Sequence, residues 1–239
     1  MIAIEQVGKR YGEGAAAVEA LREVTLAIPA GQFVSVMGPS GCGKSTLLNL
    51  IAGLDQPTRG RVLIDMQDLA QLSNDERSDL RLHRIGLVFQ SFNLFPTFTV
   101  EENVATPLEF LGVRWNDARE RARRVLARVG IATSTHGRRP SELSGGEQQR
   151  TAIARALVTE PAILLADEPT GNLDTRTGQS VLDLIRELNR TEKLTVILAT
   201  HSTVAATYGH RTIEISDGTV VHDVEAPRRP VLRLAADYE

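Results

Sequence analysis

"GPSGCGKST", residues 38–46, is the stretch that decides the fold. Gly38, Gly43, Lys44 and Ser45 fit G-x-x-x-x-G-K-[ST], a glycine-rich loop whose backbone N–H groups wrap a chain of phosphates. Pro39, Ser40, Gly41 and Cys42 supply main chain to the same wrap, and Thr46 follows on the helix. Lys44 suits the β- and γ-phosphates, the Ser45 hydroxyl suits Mg²⁺, and a helix opening near Lys44 adds its positive end. A glycine turn with an incidental lysine would match by chance in about one chain of this length in a hundred. The flanking apolar run "QFVSVMG" (32–38) and the helical "GKSTLLNLIAGL" (43–54) make that coincidence rarer still. Nucleotide binding is the reading.

Three further runs, "IGLVFQ" (85–90), "AILLADE" (162–168) and "TVILATH" (195–201), are apolar throughout. Such runs, separated by helical segments at 146–158 and 177–190, predict a mainly parallel sheet covered on both faces. In the second segment Val181, Leu184, Ile185 and Leu188 form one apolar face. The first thirty residues or so, and 60–69, alternate instead, which predicts an antiparallel β subdomain at one side. Asp-Gly between alternating runs at 213–223 predicts a hairpin. From about 91 to 158 the texture becomes helical, and Ala118, Ala122, Val125 and Val129 give 115–131 one apolar stripe among arginines. That arginine face reads as solvated rather than lipid-bound. The expected architecture is α/β: one phosphate-loop domain over 1–225, with a helical subdomain inserted at about 91–158, and a tail over 226–239.

The composition agrees with a globular nucleotide-binding protein. The 239 residues can bury a sizeable core, and the net charge of −3 offers no bulk grip on nucleic acid. Cys42 is the single cysteine, so no internal disulfide is possible. No apolar run approaches the roughly 18–20 residues needed to span a bilayer. The start, "MIAIEQVGKRYG", has no pattern of a signal peptide, and a cytoplasmic protein is expected.

"AILLADEP" ends a strand on two carboxylates. Asp167 suits the magnesium shell, and Glu168 is next in line to polarise a water as general base. A second glycine turn, "LSGGEQQR" (143–150), has no lysine. Ser144 and Glu147 could form a capping box there, which leaves the pair Gly145 and Gly146 without a reason. Ser144 and the N–H groups of this turn would suit an anion belonging to another copy of the chain.

With "LSGGE" the sequence resembles the ATPase subunits of ABC transporters, a resemblance that runs over residues 1–225. It implies an ATP-sandwich homodimer in which Ser144, Gly145, Gly146 and Glu147 of one subunit complete the ATP site around Lys44 of the other. Tyr11 resembles the aromatic residue that stacks on adenine. Gln90 resembles the glutamine that contacts the magnesium site and signals to the membrane subunit. "GNLD" (171–174), ending in Asp174, matches the segment crossing the dimer interface, and His201 matches the histidine that contacts the γ-phosphate. Lys44, Gln90, Glu168 and His201 are thus the expected catalytic set. Ser45, Gln90 and Asp167 are the expected metal set.

Within the family, "FNLFPTFTVEENVATPLEFLGV" and "DEPTGNLDTRTG" look most like the MacB/LolD group of macrolide-export and lipoprotein-releasing ATPases. This implies an integral-membrane permease holding the protein at the inner face of the cell membrane, with no nucleic acid and no span of its own. Phe89, Phe92, Phe95 and Phe98 crowd around Gln90; some of them are expected in the core and part of the run in an apolar docking groove, near Gln90–Phe98. Two positions depart from the usual pattern: Ser202 follows His201, and "LIDMQDL" lacks a glycine; neither touches the chemistry. A cell-division-type regulator without transport would share these motifs; a nutrient-import ATPase fits less well, because "TGNLD" and the region after Gln90 resemble the export and extraction group. A chromosome or DNA-repair ATPase would carry long coiled coils, and no heptad array is present.

Overall fold

The computed structural model describes residues 1–225; the tail expected over 226–239 lies outside them. The apolar runs form the middle of a six-stranded sheet. Its strands are β3 (Phe33–Met37), β6 (Ile85–Phe89), β7 (Ile163–Asp167), β8 (Thr195–Thr200), β9 (Arg211–Ser216) and β10 (Thr219–Glu225), in the order β10-β9-β3-β8-β7-β6. All neighbours are parallel except β9 and β10. All six residues of β8 are buried, which is why its sequence shows no polar alternation. The β9–β10 hairpin turns on Asp217 and Gly218 at φ 48° and 77°, as the Asp-Gly signal requires.

The alternating segments form the second sheet, wholly antiparallel: β1 (Ile2–Tyr11), β2 (Val18–Ile28), β4 (Arg59–Ile64) and β5 (Gln67–Asp68), in the order β2-β1-β4-β5. Helix α1 (Lys44–Ile51) lies in the cluster of buried residues that this sheet shares with one face of the six-stranded sheet, where Ile4 and Leu47 join Val36 and Ile197. One helix was not signalled by apolar periodicity. It is α2 (Asn74–Arg84), polar along nearly its whole length and opened by a capping box between Ser73 and Glu76.

Between β6 and β7 run α3 (Val100–Phe110), α4 (Trp115–Arg128) and α5 (Gly145–Leu157). The expected stripe of α4 is buried at Ala118, Ala122 and Val125, continued by Val129 beyond its end. Two of its arginines have a structural task. Arg119 and Arg123 both hold Glu101 of α3, a carboxylate only 5% exposed, Arg123 Nε donating at 2.7 Å. Helix α6 (Thr175–Glu192) covers the same face of the large sheet through Val181, Leu182, Ile185 and Leu188; Leu182, rather than the expected Leu184, is buried. A short α7 (Thr203–Ala206) follows β8.

Candidate nucleotide site

Sheet register builds the site. Met37 pairs with Thr200, Ala199 with Asp167, and Asp167 with Phe89, so four parallel strands end at one level. Gly38, His201, Glu168 and Gln90 are the next residues of those strands, and they emerge along one edge. This is the carboxyl edge of an open α/β sheet, where such folds bind ligands.

The loop after β3 turns through Gly41 and Gly43 at φ 81° and 112°, and Gly43 caps α1. A Cβ on Gly43 would stand 2.5 Å from the Ala20 carbonyl, so both its conformation and its space exclude a side chain. Pro39, Ser40 and Gly41 face solvent, whereas the Cys42 side chain is buried in the core and leaves only its backbone for a ligand. Lys44 is 6% exposed; its Nζ donates to the carbonyls of Gly38 at 2.8 Å and Pro39 at 2.9 Å, and lies 4.0 Å from Glu168 Oε1. Half-buried Thr46 follows exposed Ser45 on α1.

Asp167 Oδ1 is buried without a hydrogen-bond partner. Burial pushes the Asp167 carboxyl above its ordinary value, against a hydrogen bond from Ser45. A carboxylate oxygen lacking a partner, with the Ser45 hydroxyl near the same carboxylate, is a hard-oxygen donor set that fits Mg²⁺. Among the described residues no group of three or more His, Cys, Asp and Glu is assembled as an all-protein metal site, so the fit is to a metal shared with phosphate oxygens. Glu168 takes φ 48°, unusual for a residue with a side chain, and is held there by its N–H to Ala199 O and by its own carbonyl accepting from Gly171 N. Its Oε1 lies 2.9 Å from His201 Nδ1.

Gln90 has a partner that the sequence did not suggest: its Nε2 donates to Asn172 Oδ1 at 3.2 Å, and Asn172 Nδ2 donates to Gln90 O at 3.0 Å. Asp174 caps α6 by accepting from Thr177 N, which holds its carboxyl below the usual range. Tyr11, at the end of β1, is 41% exposed, and its hydroxyl donates to Asp55 Oδ2 at 2.8 Å.

At α5 the capping box is present. Ser144 N and Oγ donate to Glu147 Oε2 at 2.9 and 2.7 Å, and Glu147 N donates to Ser144 Oγ at 3.3 Å. The glycine pair also has a reason inside the chain, which corrects the sequence reading. A Cβ on Gly146 would stand 2.5 Å from Thr177 Cγ2 of α6, and one on Gly145 would stand 3.1 Å from Leu173 Cδ2. Among the described residues, no hydrogen bond or ion pair joins this turn to Lys44, Asp167 or Glu168.

The phenylalanine run is divided between exposed surface and a groove. Phe95 and Phe98 are exposed and stack on each other with centroids 5.2 Å apart, while Arg155 of α5 pins the Phe92 carbonyl at 3.0 Å. A mainly apolar groove of about 690 Å³ lies beside β6; its walls include Leu82, Ile85, Leu87, Phe89, Pro107 and Phe110, with Asp75, Asp79, Arg81 and Arg155 also lining it. Of the four phenylalanines only Phe89 reaches it.

Phosphate loop, carboxylate-tipped strand and strand order define a P-loop nucleotide-hydrolysing protein. The ABC transporter family profile matches residues 21–171, and the chain belongs to that family as an ATP-binding, ATP-hydrolysing cassette. An uncharacterised ABC transporter ATP-binding protein of Methanocaldococcus jannaschii, MJ0796, is 45% identical over 92% of this chain and 95% of its own length. The macrolide export ATP-binding/permease protein MacB of Aggregatibacter actinomycetemcomitans is 42% identical over 94% of this chain, which spans only 35% of that relative. A dimeric structure of MJ0796 in a post-hydrolysis state, bound to ADP and Pi, superposes with a TM-score of 0.88 at 42% identity, over 94% of this chain and 98% of that one.

Proposed function

We propose that this cassette closes as a head-to-tail homodimer on Mg-ATP and drives an integral-membrane permease of the MacB/LolD kind. The observation that carries the reading is the single edge shared by Lys44, Asp167, Glu168 and His201, with the buried Asp167 Oδ1 lacking a partner. Lys44 would exchange its two loop carbonyls for the β- and γ-phosphates. Ser45 and Asp167, with Gln90 beside them, would hold Mg²⁺, which when bound neutralises phosphate charge. Glu168 would orient and deprotonate the attacking water, and His201, at its carboxylate, would turn to the γ-phosphate.

Dimerisation is supported by the dimeric ADP- and Pi-bound relative. In such a dimer Ser144, Gly145, Gly146, Glu147 and Asp174 would face the other subunit's ATP. Ser144 would have to turn its hydroxyl from Glu147 to do so. A permease partner is supported by the MacB relatives, whose names join ATP-binding and permease functions in chains about three times this length. The groove bounded by Phe89 and Phe110 is its proposed seat. No helix among the described residues is long and apolar enough to cross a membrane, so attachment at the inner face would run through that partner.

Glu168→Gln should bind Mg-ATP, hydrolyse it very slowly and accumulate as dimer on a sizing column, and adding Ser144→Arg should return it to monomer. Normal turnover by Glu168→Gln would remove Glu168 as the base, and a dimer insensitive to Ser144→Arg would remove the shared site. The trapped protein, captured from native membranes, should bring a permease with few spans and a large outer domain. A many-spanning permease with a separate solute-binding protein would make this an importer.

A further inference from the structure

Tyr11 ends β1, and two side chains fix its ring. Asp55, in the loop after α1, divides its oxygens: Oδ2 accepts from the Tyr11 hydroxyl at 2.8 Å, and Oδ1 accepts from Lys9 Nζ at 2.6 Å and Gln56 N at 2.7 Å. Lys9 also donates to Gln56 O at 2.8 Å, and its Nζ lies 4.8 Å from the centroid of the Tyr11 ring. The ammonium group therefore covers one face of that ring. Tyr11 is thus pinned at its hydroxyl end to the loop that follows α1, and backed by a cation, while the residue as a whole remains 41% exposed.

A surface tyrosine left free would sample several rotamers, and a base that stacked on it would have to order it first. We propose that Lys9 and Asp55 are positioning residues that hold the Tyr11 ring ready for the base of the nucleotide. This rests on the reading of Tyr11 as the base platform of the ATP site. The rival is a plain staple: the Lys9–Asp55 ion pair fastens β1 to the loop after α1, and the ring is incidental. The two differ in what they predict for a ligand without a base. Positioning the ring affects adenosine nucleotides only, whereas loosening the staple next to α1 disturbs phosphate binding as well.

The test is titration calorimetry of the full chain with ADP and with inorganic pyrophosphate, neither of which it hydrolyses as ATPase substrate. Asp55→Ala, Lys9→Met and Tyr11→Phe should each weaken ADP by about three- to tenfold, the scale of ordering one side chain. Pyrophosphate should stay within about twofold, and Asp55→Asn, which keeps an acceptor for the hydroxyl, should recover part of the loss. Equal losses for ADP and pyrophosphate would establish the staple and overturn the proposal. So would unchanged ADP binding in Asp55→Ala and Tyr11→Phe while Tyr11→Ala is weak. If Tyr11→Ala also binds ADP normally, the base platform itself is wrong, which is a separate failure. Should Asp55→Ala not fold, Tyr11→Phe decides alone, since it removes only the hydroxyl.

Discussion

Gln90 and Asn172, 82 residues apart, exchange two hydrogen bonds, side chain to side chain and side chain to backbone. The residue that follows β6 is thereby fastened to the loop after Glu168. Gly171 makes the approach possible, because a Cβ there would stand 2.6 Å from Gln90 Nε2. That atom ends a flexible side chain, so a methyl group would displace Gln90 rather than unfold the protein.

Gly171→Ala should therefore cut ATP hydrolysis by about tenfold, the cost of about 1.4 kcal/mol at the transition state. Its melting temperature should fall by no more than a few degrees. A variant that melts early and keeps its specific activity would mean that the glycine serves packing alone.

Asp167 places a charge in a buried position with one oxygen unpartnered. Its folded pKa is raised, so the ionised form is disfavoured in the unliganded fold and the fold loses stability as pH rises through that range. Asp167→Asn should leave the unliganded protein at least as stable at neutral pH. It should abolish the extra thermal stability that Mg-ATP confers over ATP with EDTA. Equal Mg²⁺-dependent shifts in both proteins would exclude Asp167 from the metal shell.

Glu101 joins α3 to α4. Burial alone would raise its carboxyl, but hydrogen bonds from Arg123 and Arg119 more than offset this and hold it below the ordinary value. A depressed carboxylate stabilises the fold fully above the unfolded pKa, about 4.3, and loses that stabilisation as pH falls through the lower folded value. Denaturant melts should then show Glu101→Ala less stable by about 1–3 kcal/mol at neutral pH, the gap closing as pH falls below the unfolded carboxyl's range. A gap independent of pH would assign the loss to packing.

The groove beside β6 can be probed without touching the chemistry. Phe110 is 73% exposed on its rim, and Phe110→Asp should leave ATP hydrolysis by the isolated cassette within about twofold. Binding to the permease should weaken at least tenfold, the effect of losing one apolar anchor at about 1.4 kcal/mol or more. Unchanged association would move the interface elsewhere, with exposed Phe95 and Phe98 the next pair to vary.

The residues along the carboxyl edge of the sheet were legible because each is a local event: glycines before Lys44, carboxylates ending an apolar run, a histidine after another. Helix α2 was not, because its apolar face is nearly absent; the Ser73–Glu76 capping box was the only available signal. The phenylalanine run was only partly legible for a related reason. Aromatic content marks apolar surface but not its direction, and the chain turns Phe95 and Phe98 outward while Phe89 alone joins the groove.

The sequence by itself determined the phosphate loop, the apolar strands that must be buried on both faces, the Asp-Gly hairpin and the cap of α5. These follow from backbone sterics, periodicity and hydrogen bonds within a few residues. Only the tertiary structure decided that β8 separates β3 from β7, which brings His201 to the carboxylate of Glu168. It also decided that Gln90 meets Asn172, that two arginines of α4 enclose Glu101, and that Gly146 is needed against Thr177. Those contacts depend on strand order and helix packing, which minimise exposed apolar surface over the whole chain. No short stretch of residues encodes them.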